Sequence, residues 1–345
     1  MSRAAGAAEE YREFYTGIRG LGMGGAQVAA VNDETALIVN PAALGKLRNV
    51  YGTVFDPEVD ITNQFYSLYQ SKPFSQLFDL AEIAPVVQTT KNTYYHANAQ
   101  LFPSLVAKNF GIGVFGKYLL DARTDATGRY LTSYYRNDIA AVIGLNLRLF
   151  DGRVKIGANA KWISRIEMTT TNLDLNTNPN LTLASRGQEG AGLSTDVGLI
   201  LTAPWTYLPT ITGVLRNVGG TNFEQSRGLR PLGNNNLAPT AEVQDLDVGI
   251  GLFPIHSTSS RSSFVLEYRG IMTAQNETDP TRRYHAGYEF NLYDIVFLRM
   301  GYNQKYWTAG FELSSEKIQF QFATYGEDVP TGEDRRYVGK LAIRF

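Results

Sequence analysis

The chain closes on Arg336-Tyr337-Val338-Gly339-Lys340-Leu341-Ala342-Ile343-Arg344-Phe345. Tyr337, Gly339, Leu341, Ile343 and Phe345 share one face; Arg336, Lys340, Ala342 and Arg344 share the other, the period of two that a β-strand imposes. One face is apolar and ends on an aromatic ring, while the other carries cations. The alternation recurs upstream. Tyr284, Ala286, Tyr288 and Phe290 oppose His285, Gly287, Glu289 and Asn291, and Val296, Leu298, Met300 and Tyr302 oppose Arg299 and Asn303. Trp307, Ala309, Phe311 and Leu313 oppose Gly310 and Glu312, and Ile139 to Leu149 alternates against Gly144, Asn146 and Arg148. Strands fall near 49–59, 94–107, 110–122, 131–149, 153–170, 191–204, 209–218, 243–253, 262–271, 281–291, 294–303, 305–313, 316–325 and 336–345. That is about fourteen, an even number suited to a closed membrane barrel.

A soluble sandwich also alternates, so the connections decide. One end has compact turns at Lys108-Asn109, Phe150-Asp151-Gly152, Trp205-Thr206-Tyr207, Asn291-Leu292-Tyr293 and Ser314-Ser315. The other end carries a 61–90 insertion and loops near 172–190, 219–242, 272–280 and 326–335, with only Asn303-Gln304 short. Short turns on one side and long loops on the other are the asymmetry of an outer-membrane barrel. The charged face then lines a lumen and the apolar face meets lipid.

Composition agrees. Charged residues make up 19% of the 345, against roughly 25% in soluble domains. Balanced charge, 32 Lys+Arg against 33 Asp+Glu, supplies no basic footprint for nucleic acid. The absence of Cys removes thiolate zinc sites and cysteine nucleophiles. No apolar run reaches the ~18 residues of a transmembrane helix, whereas a barrel strand needs only about 10 residues of alternating polarity. The opening Met1-Ser2-Arg3-Ala4-Ala5-Gly6 has no secretory signal, so export implies a signal absent from this chain.

Ahead of the strands, residues 1–47 are rich in Gly and Ala: Gly20-Leu21-Gly22-Met23-Gly24-Gly25-Ala26, then Ala29-Ala30-Val31-Asn32-Asp33, then Asn40-Pro41-Ala42. This order, followed by Asp56-Pro57-Glu58-Val59, resembles the N-terminal plug and first strand of the long-chain fatty-acid outer-membrane transporters (FadL-type) and their PorV-like relatives. Leu215-Arg216-Asn217-Val218-Gly219-Gly220 and the closing Leu341-Ala342-Ile343-Arg344-Phe345 are similar to pieces of the PorV-like branch. The resemblance implies an all-β transmembrane outer-membrane β-barrel of fourteen strands. It implies a plug at 1–47 inside the lumen and a barrel at 48–345, with the helical outer insertion at 61–90. Phe74, Leu77, Phe78 and Ala81 of that insertion follow helical spacing before Pro85.

The expected plug and gating residues are Gly22, Gly24, Gly25, Asn40, Pro41 and Ala42, with Arg19, Asp33 or Glu34 tying plug to wall. The expected barrel-assembly signal is Tyr337, Leu341, Ile343 and Phe345. The glycine cluster satisfies a loose G-x-G-x-x-G, but no apolar strand precedes it and no Lys-Ser/Thr pair closes it, which argues against a phosphate loop. Catalysis has little support: His96, His256 and His285 are the only imidazoles and no G-x-S-x-G elbow exists. His285 and Glu289 share a face but stand about 13 Å apart along a strand. No cofactor or metal is expected. Lumen charges of both signs suggest structural pairing rather than an ion-selective ring, and Trp205, Tyr207, Tyr293 and Trp307 suit an aromatic girdle.

The expected function is passage of a hydrophobic or amphipathic small molecule across a bacterial outer membrane, with outer-membrane lipid as the surrounding partner. The alternative is a PorV-like structural or secretion-associated role beside a protein companion at the outer face.

Overall fold

The computed structural model describes residues 12–71, 91–177, 182–225, 228–229, 237–277 and 279–345. Its wall comprises β1 (Tyr51–Phe55), β2 (Glu58–Thr62), β3 (Tyr94–Leu101), β4 (Ser104–Ala107), β5 (Phe110–Thr124), β6 (Tyr130–Leu149), β7 (Val154–Asp174) and β8 (Gln188–Thr202). It continues through β9 (Thr210–Arg216), β10 (Asp245–Leu252), β11 (Ser260–Tyr268), β12 (Tyr284–Leu292), β13 (Val296–Asn303), β14 (Tyr306–Ser314), β15 (Ile318–Val329) and β16 (Gly332–Arg344). Every neighbouring pair is antiparallel, and β16 pairs with β15 on one side and with β1 and β2 on the other, which closes the sheet. The segments β1 and β2 are two parts of one stave, as are β3 and β4, so the sixteen segments make a fourteen-stave barrel.

Register puts the predicted faces where the alternation requires. Glu289 stands opposite Arg299 and Leu298 opposite Phe311. Arg299 is 5% exposed while its outward neighbours Leu298 and Met300 are 50% and 59% exposed, so charge points in and hydrocarbon points out. The outward apolar band runs from Leu201 up to Leu193 on β8, which at ~3.3 Å per residue and a tilt near 40° spans roughly 20 Å between the two Cα atoms. With the side chains at either end added, that approaches the ~25 Å apolar height of an outer-membrane wall.

Above this band the staves differ. β5 to β8 run for 15 to 21 residues, β9 to β14 for only 7 to 9. On the long staves the outward side chains Tyr118, Leu120, Ile166 and Met168 are buried in a cluster with Phe65 and Leu68 of the helix Asn63–Ser71. These side chains are thus packed against the chain's own residues, among them Tyr135 and Leu175, where lipid would otherwise be needed. The helix Asn63–Ser71 begins directly from β2 within the expected insertion; the helical spacing read at 74–83 lies outside the described residues.

Two continuous strands expected at 49–59 and 94–107 are interrupted, at Asp56-Pro57 and Phe102-Pro103. Proline has no N–H for the ladder and breaks an interior strand. The two breaks lie side by side on adjacent staves: the register runs from Thr53↔Ser104 to Glu58↔Gln100 with no paired residues between them among the described residues.

Candidate functional site

The N-terminal segment lies against the inward face of the wall. It forms two short helices, which here are αA (Ile18–Gly22) and αB (Ala36–Val39), followed by a 3-10 turn at Pro41–Lys46. Gly24 and Gly25 adopt φ of 66° and 85°, the left-handed region that ends the first helix at little cost for glycine. Gly24 N–H donates to Thr308 Oγ1 at 2.9 Å, and the Thr308 hydroxyl donates to Gly22 O at 3.0 Å. His285 Nδ1 stands 2.8 Å from Gly24 O. The wall makes room for this backbone with its own glycine: a Cβ on Gly301 would lie 2.3 Å from Gly24 N. Glu267 Oε2 accepts the N–H groups of Gln27 and Val28 at 2.8 and 3.0 Å.

Asn40, Pro41 and Ala42 sit on another arc, against β6 to β9. Asn40 donates from Nδ2 to Val28 O and to Thr212 Oγ1, both at 2.9 Å, and accepts from Ala42 N–H at 3.1 Å. Asn146 Nδ2 donates to Ala42 O at 2.9 Å. A Cβ on Gly157 would meet Pro41 C at 2.3 Å, and one on Gly198 would meet Asn40 Oδ1 at 2.2 Å. All three residues are buried. These are the contacts of an anchored element.

The charge ties expected from sequence are present. Arg19 donates to Glu289 at 2.8 and 3.0 Å and to Asp33 at 2.8 Å, and Arg344 donates to Glu34 at 2.5 Å. Burial pushes the Asp33 carboxyl up, but the Arg19 charge and the Thr35 hydroxyl outweigh it and bring its pKa down to about 2. Lys46 moves the other way: burial, with the neighbouring charges of Lys155 and Arg19, lowers its pKa to about 7. Its Nζ donates to Ala29 O at 2.5 Å.

Residues 12–16 run through the interior as a strap, with Arg12 nearer the long-loop end. Arg12 stacks 3.8 Å over the Tyr134 ring, Phe14 packs 4.8 Å from Phe115, and Tyr15 lies 6.2 Å from Phe102. Lys117 Nζ donates to Glu13 O at 3.0 Å, and Gln100 Nε2 donates to Thr16 O at 2.5 Å. Two cavities adjoin the strap and share Arg12 and Glu242 in their borders: one of 390 Å³ reaches Tyr134, Arg136 and Arg165, and one of 290 Å³ reaches Phe14, Tyr15, Lys161 and Arg216. A larger apolar hollow of 1240 Å³, with Trp205, Phe264 and Trp307, is on the outer wall and faces lipid, so it is set apart from the interior site.

The paired strand breaks border this interior. Phe102 is 1% exposed and points inward at Tyr15 and Phe115. On the outside the same place is a 580 Å³ apolar dent bordered by Pro103, Leu105, Ile112 and Trp162. Neither the strap nor the break was apparent from sequence motifs, although Pro57 and Pro103 within otherwise strand-like runs were the available signal. Of the assembly residues, Leu341, Ile343 and Phe345 face outward at 45%, 44% and 75% exposure, and Tyr337 stacks on Phe322 at 6.4 Å. They lie on the lipid face, away from the interior cavities.

No family model matches this chain, and no curated protein matches it. Solved structures do. The monoaromatic hydrocarbon channel CymD superposes with a TM-score of 0.56 at 10% identity, covering 95% of this chain and 96% of that one. The Pseudomonas putida toluene transporter TodX gives 0.51 at 11% identity, over 94% and 96%. A Pseudomonas aeruginosa FadL homologue gives 0.52 at 10% identity, over 98% and 99%. At these identities the likeness is one of architecture: the fold is that of an outer-membrane β-barrel of the FadL type.

Proposed function

We propose that this barrel passes an amphipathic or hydrophobic small molecule across the outer membrane, and that the N-terminal segment gates it. The observation that carries this reading is the placement of the Tyr15, Phe102 and Phe115 rings between the interior cavities and the broken stretch of wall. Intact strand pairing makes a wall costly to open in lipid, because each freed backbone group goes unsatisfied. At the paired breaks that pairing is already missing, so a route from the interior to the bilayer costs least there. The 390 Å³ cavity is bordered by Arg12, Arg136, Arg165 and Glu242, which suits a molecule with a polar end. Within the segment we assign the movement to residues 12–16 in place of Asn40, Pro41 and Ala42, the gating residues expected from sequence, because 40–42 is held by Val28, Thr212 and Asn146. The hydrocarbon channels of the same architecture support passage of a hydrophobic molecule.

The test is flux of a fluorescent amphiphile into proteoliposomes. Wild type should accelerate uptake over empty vesicles, and Phe102→Ala should change that rate while the barrel still shows heat-modifiable migration. Uptake equal to that of empty vesicles for both proteins contradicts the reading. A second reading, a companion of another outer-membrane protein, draws on Tyr66 and Tyr69 of the helix Asn63–Ser71, 50% and 41% exposed on the long-loop side. Purification with a stoichiometric protein companion, lost in Tyr66→Ser/Tyr69→Ser, supports it.

A further inference from the structure

Where the two staves are broken, a side chain stands in for the missing rung. Phe102 N–H donates to Asp56 Oδ1 at 2.6 Å, and Asp56 Oδ2 lies 3.1 Å from Lys340 Nζ on β16. Asp56 is 1% exposed, so its carboxylate is committed to these two partners. On the other faces of the gap the wall is continuous: Val114 N–H donates to Pro103 O at 2.9 Å, and Leu341 N–H to Pro57 O at 3.4 Å. The weak line in the wall therefore runs between 54–57 and 101–103 and is bridged by Asp56.

The same carboxylate belongs to a chain of contacts that reaches the strap. Lys340 Nζ is 3.9 Å from Glu58 Oε2, Gln100 Nε2 donates to Glu58 Oε1 at 3.0 Å, and that same Nε2 donates to Thr16 O at 2.5 Å. Glu58, Gln100 and Lys340 are each buried. Tyr15 also touches the break directly through Phe102.

We infer that Asp56 is a positioning residue that latches the wall break, and that the N-terminal strap keys the latch through Gln100 and Glu58. This rests on the proposed passage through the barrel and specifies how its exit is held shut. Moving Thr16 away removes the acceptor that holds the Gln100 amide beside Glu58; once Gln100 swings away, Glu58 draws on Lys340 and weakens the hold of Lys340 on Asp56. Phe102 then loses its fixed backbone acceptor, and its ring can leave the gap. A carboxylate suits the position because it accepts from an N–H and pairs with an ammonium at once.

The test is hydrogen–deuterium exchange of peptides spanning 98–106 in the bilayer-embedded barrel, run beside amphiphile flux. In Asp56→Ala, exchange at Phe102 should rise at least tenfold while peptides of β12 and β13 are unchanged. Asp56→Asn retains an acceptor for the Phe102 N–H but loses the ion pair, and should rise less. Gln100→Leu, with Asp56 intact, should raise exchange at Phe102 as well. Unchanged exchange in Asp56→Ala, or an equal rise throughout the barrel, overturns the latch; unchanged exchange in Gln100→Leu overturns its link to the strap. Faster exchange in the variants without any protein-dependent flux keeps the latch and removes the passage reading, so the two failures are distinct.

Discussion

Arg19 Nη2 of the N-terminal segment lies 2.8 Å from Glu289 Oε1 on β12, and the same carboxylate accepts from Arg299 Nε at 2.7 Å. A wall residue and a segment residue thus share one buried acid, with side-chain exposures of 4% for Glu289 and 16% for Arg19. Replacing Arg19 with Met leaves Glu289 with Arg299 alone, and should weaken seating of the segment by about 2 kcal/mol, the scale of a hydrogen bond to a charged group. Chemical denaturation followed by protease accessibility of residues 12–47 should register that change, while heat-modifiable migration of the barrel is kept. Equal protease sensitivity in the variant and the parent contradicts it.

Gly301 offers a steric version of the same question. Valine there places Cβ within 2.3 Å of the Gly24 backbone nitrogen, a contact that no side-chain rotation relieves. Gly301→Val should unseat the glycine-rich turn, costing about 1–3 kcal/mol by overpacking, and should expose residues 18–26 to proteolysis. Gly339→Val serves as the control, since nothing lies within 4 Å of a Cβ at that wall position.

Lys46 gives the seat a pH dependence. Its pKa falls from 10.5 in the open chain to about 7 in the fold. Between those values the unfolded form holds a proton that the folded form has released, so stability rises with pH across this window. Below about pH 7 both forms are protonated, and the folded form carries the full cost of a half-buried ammonium. Denaturant midpoints of the parent should therefore rise between pH 7 and pH 10, and Lys46→Met should flatten that slope. Parallel slopes in the two proteins contradict the assignment.

Phe345 ties the last stave to the first: its N–H donates to Gly52 O at 2.9 Å, and Gly52 N–H donates to Phe345 O at 3.3 Å. Its ring leans over Gly52, where a Cβ would meet Phe345 Cζ at 2.3 Å. Deleting Phe345 removes two seam bonds as well as the terminal aromatic ring. Refolding in vitro should fall modestly, and assembly in cells should fall further if the residue is also read during insertion. Equal losses in both settings leave Phe345 with the seam role alone.

The wall was legible in the sequence because its alternation is forced by two solvents, lipid outside and a charged interior inside. Leu298, Arg299 and Met300 show the pattern directly. The Arg19, Asp33 and Glu34 ties were legible because these are the only charged residues between Glu13 and Lys46. The breaks were harder to read, since Asp56-Pro57 and Phe102-Pro103 interrupt strands whose flanking residues keep strand character on both sides. Long-range pairs such as Phe14 with Phe115 and Gln100 with Thr16 left no local signal at all, because nothing in either segment's own spacing depends on the other. The seating of Asn40 likewise depends on Gly198 and Thr212 of distant staves. A reading of 20–26 and 40–42 by motif places them in one segment, and it takes the fold to put them on separate arcs of the wall.

The central claim is that a small molecule with an apolar part travels through this barrel and past Phe102. Its most direct measurement is site-specific photocrosslinking, with a photoreactive side chain at position 102 and a radiolabelled amphiphile added to one side of a proteoliposome. Label should appear at 102 and compete away with unlabelled amphiphile, while a photoreactive side chain at outward-facing Met300 captures only bulk lipid that does not compete. Absence of competable label at 102 in a barrel that assembles normally contradicts the claim.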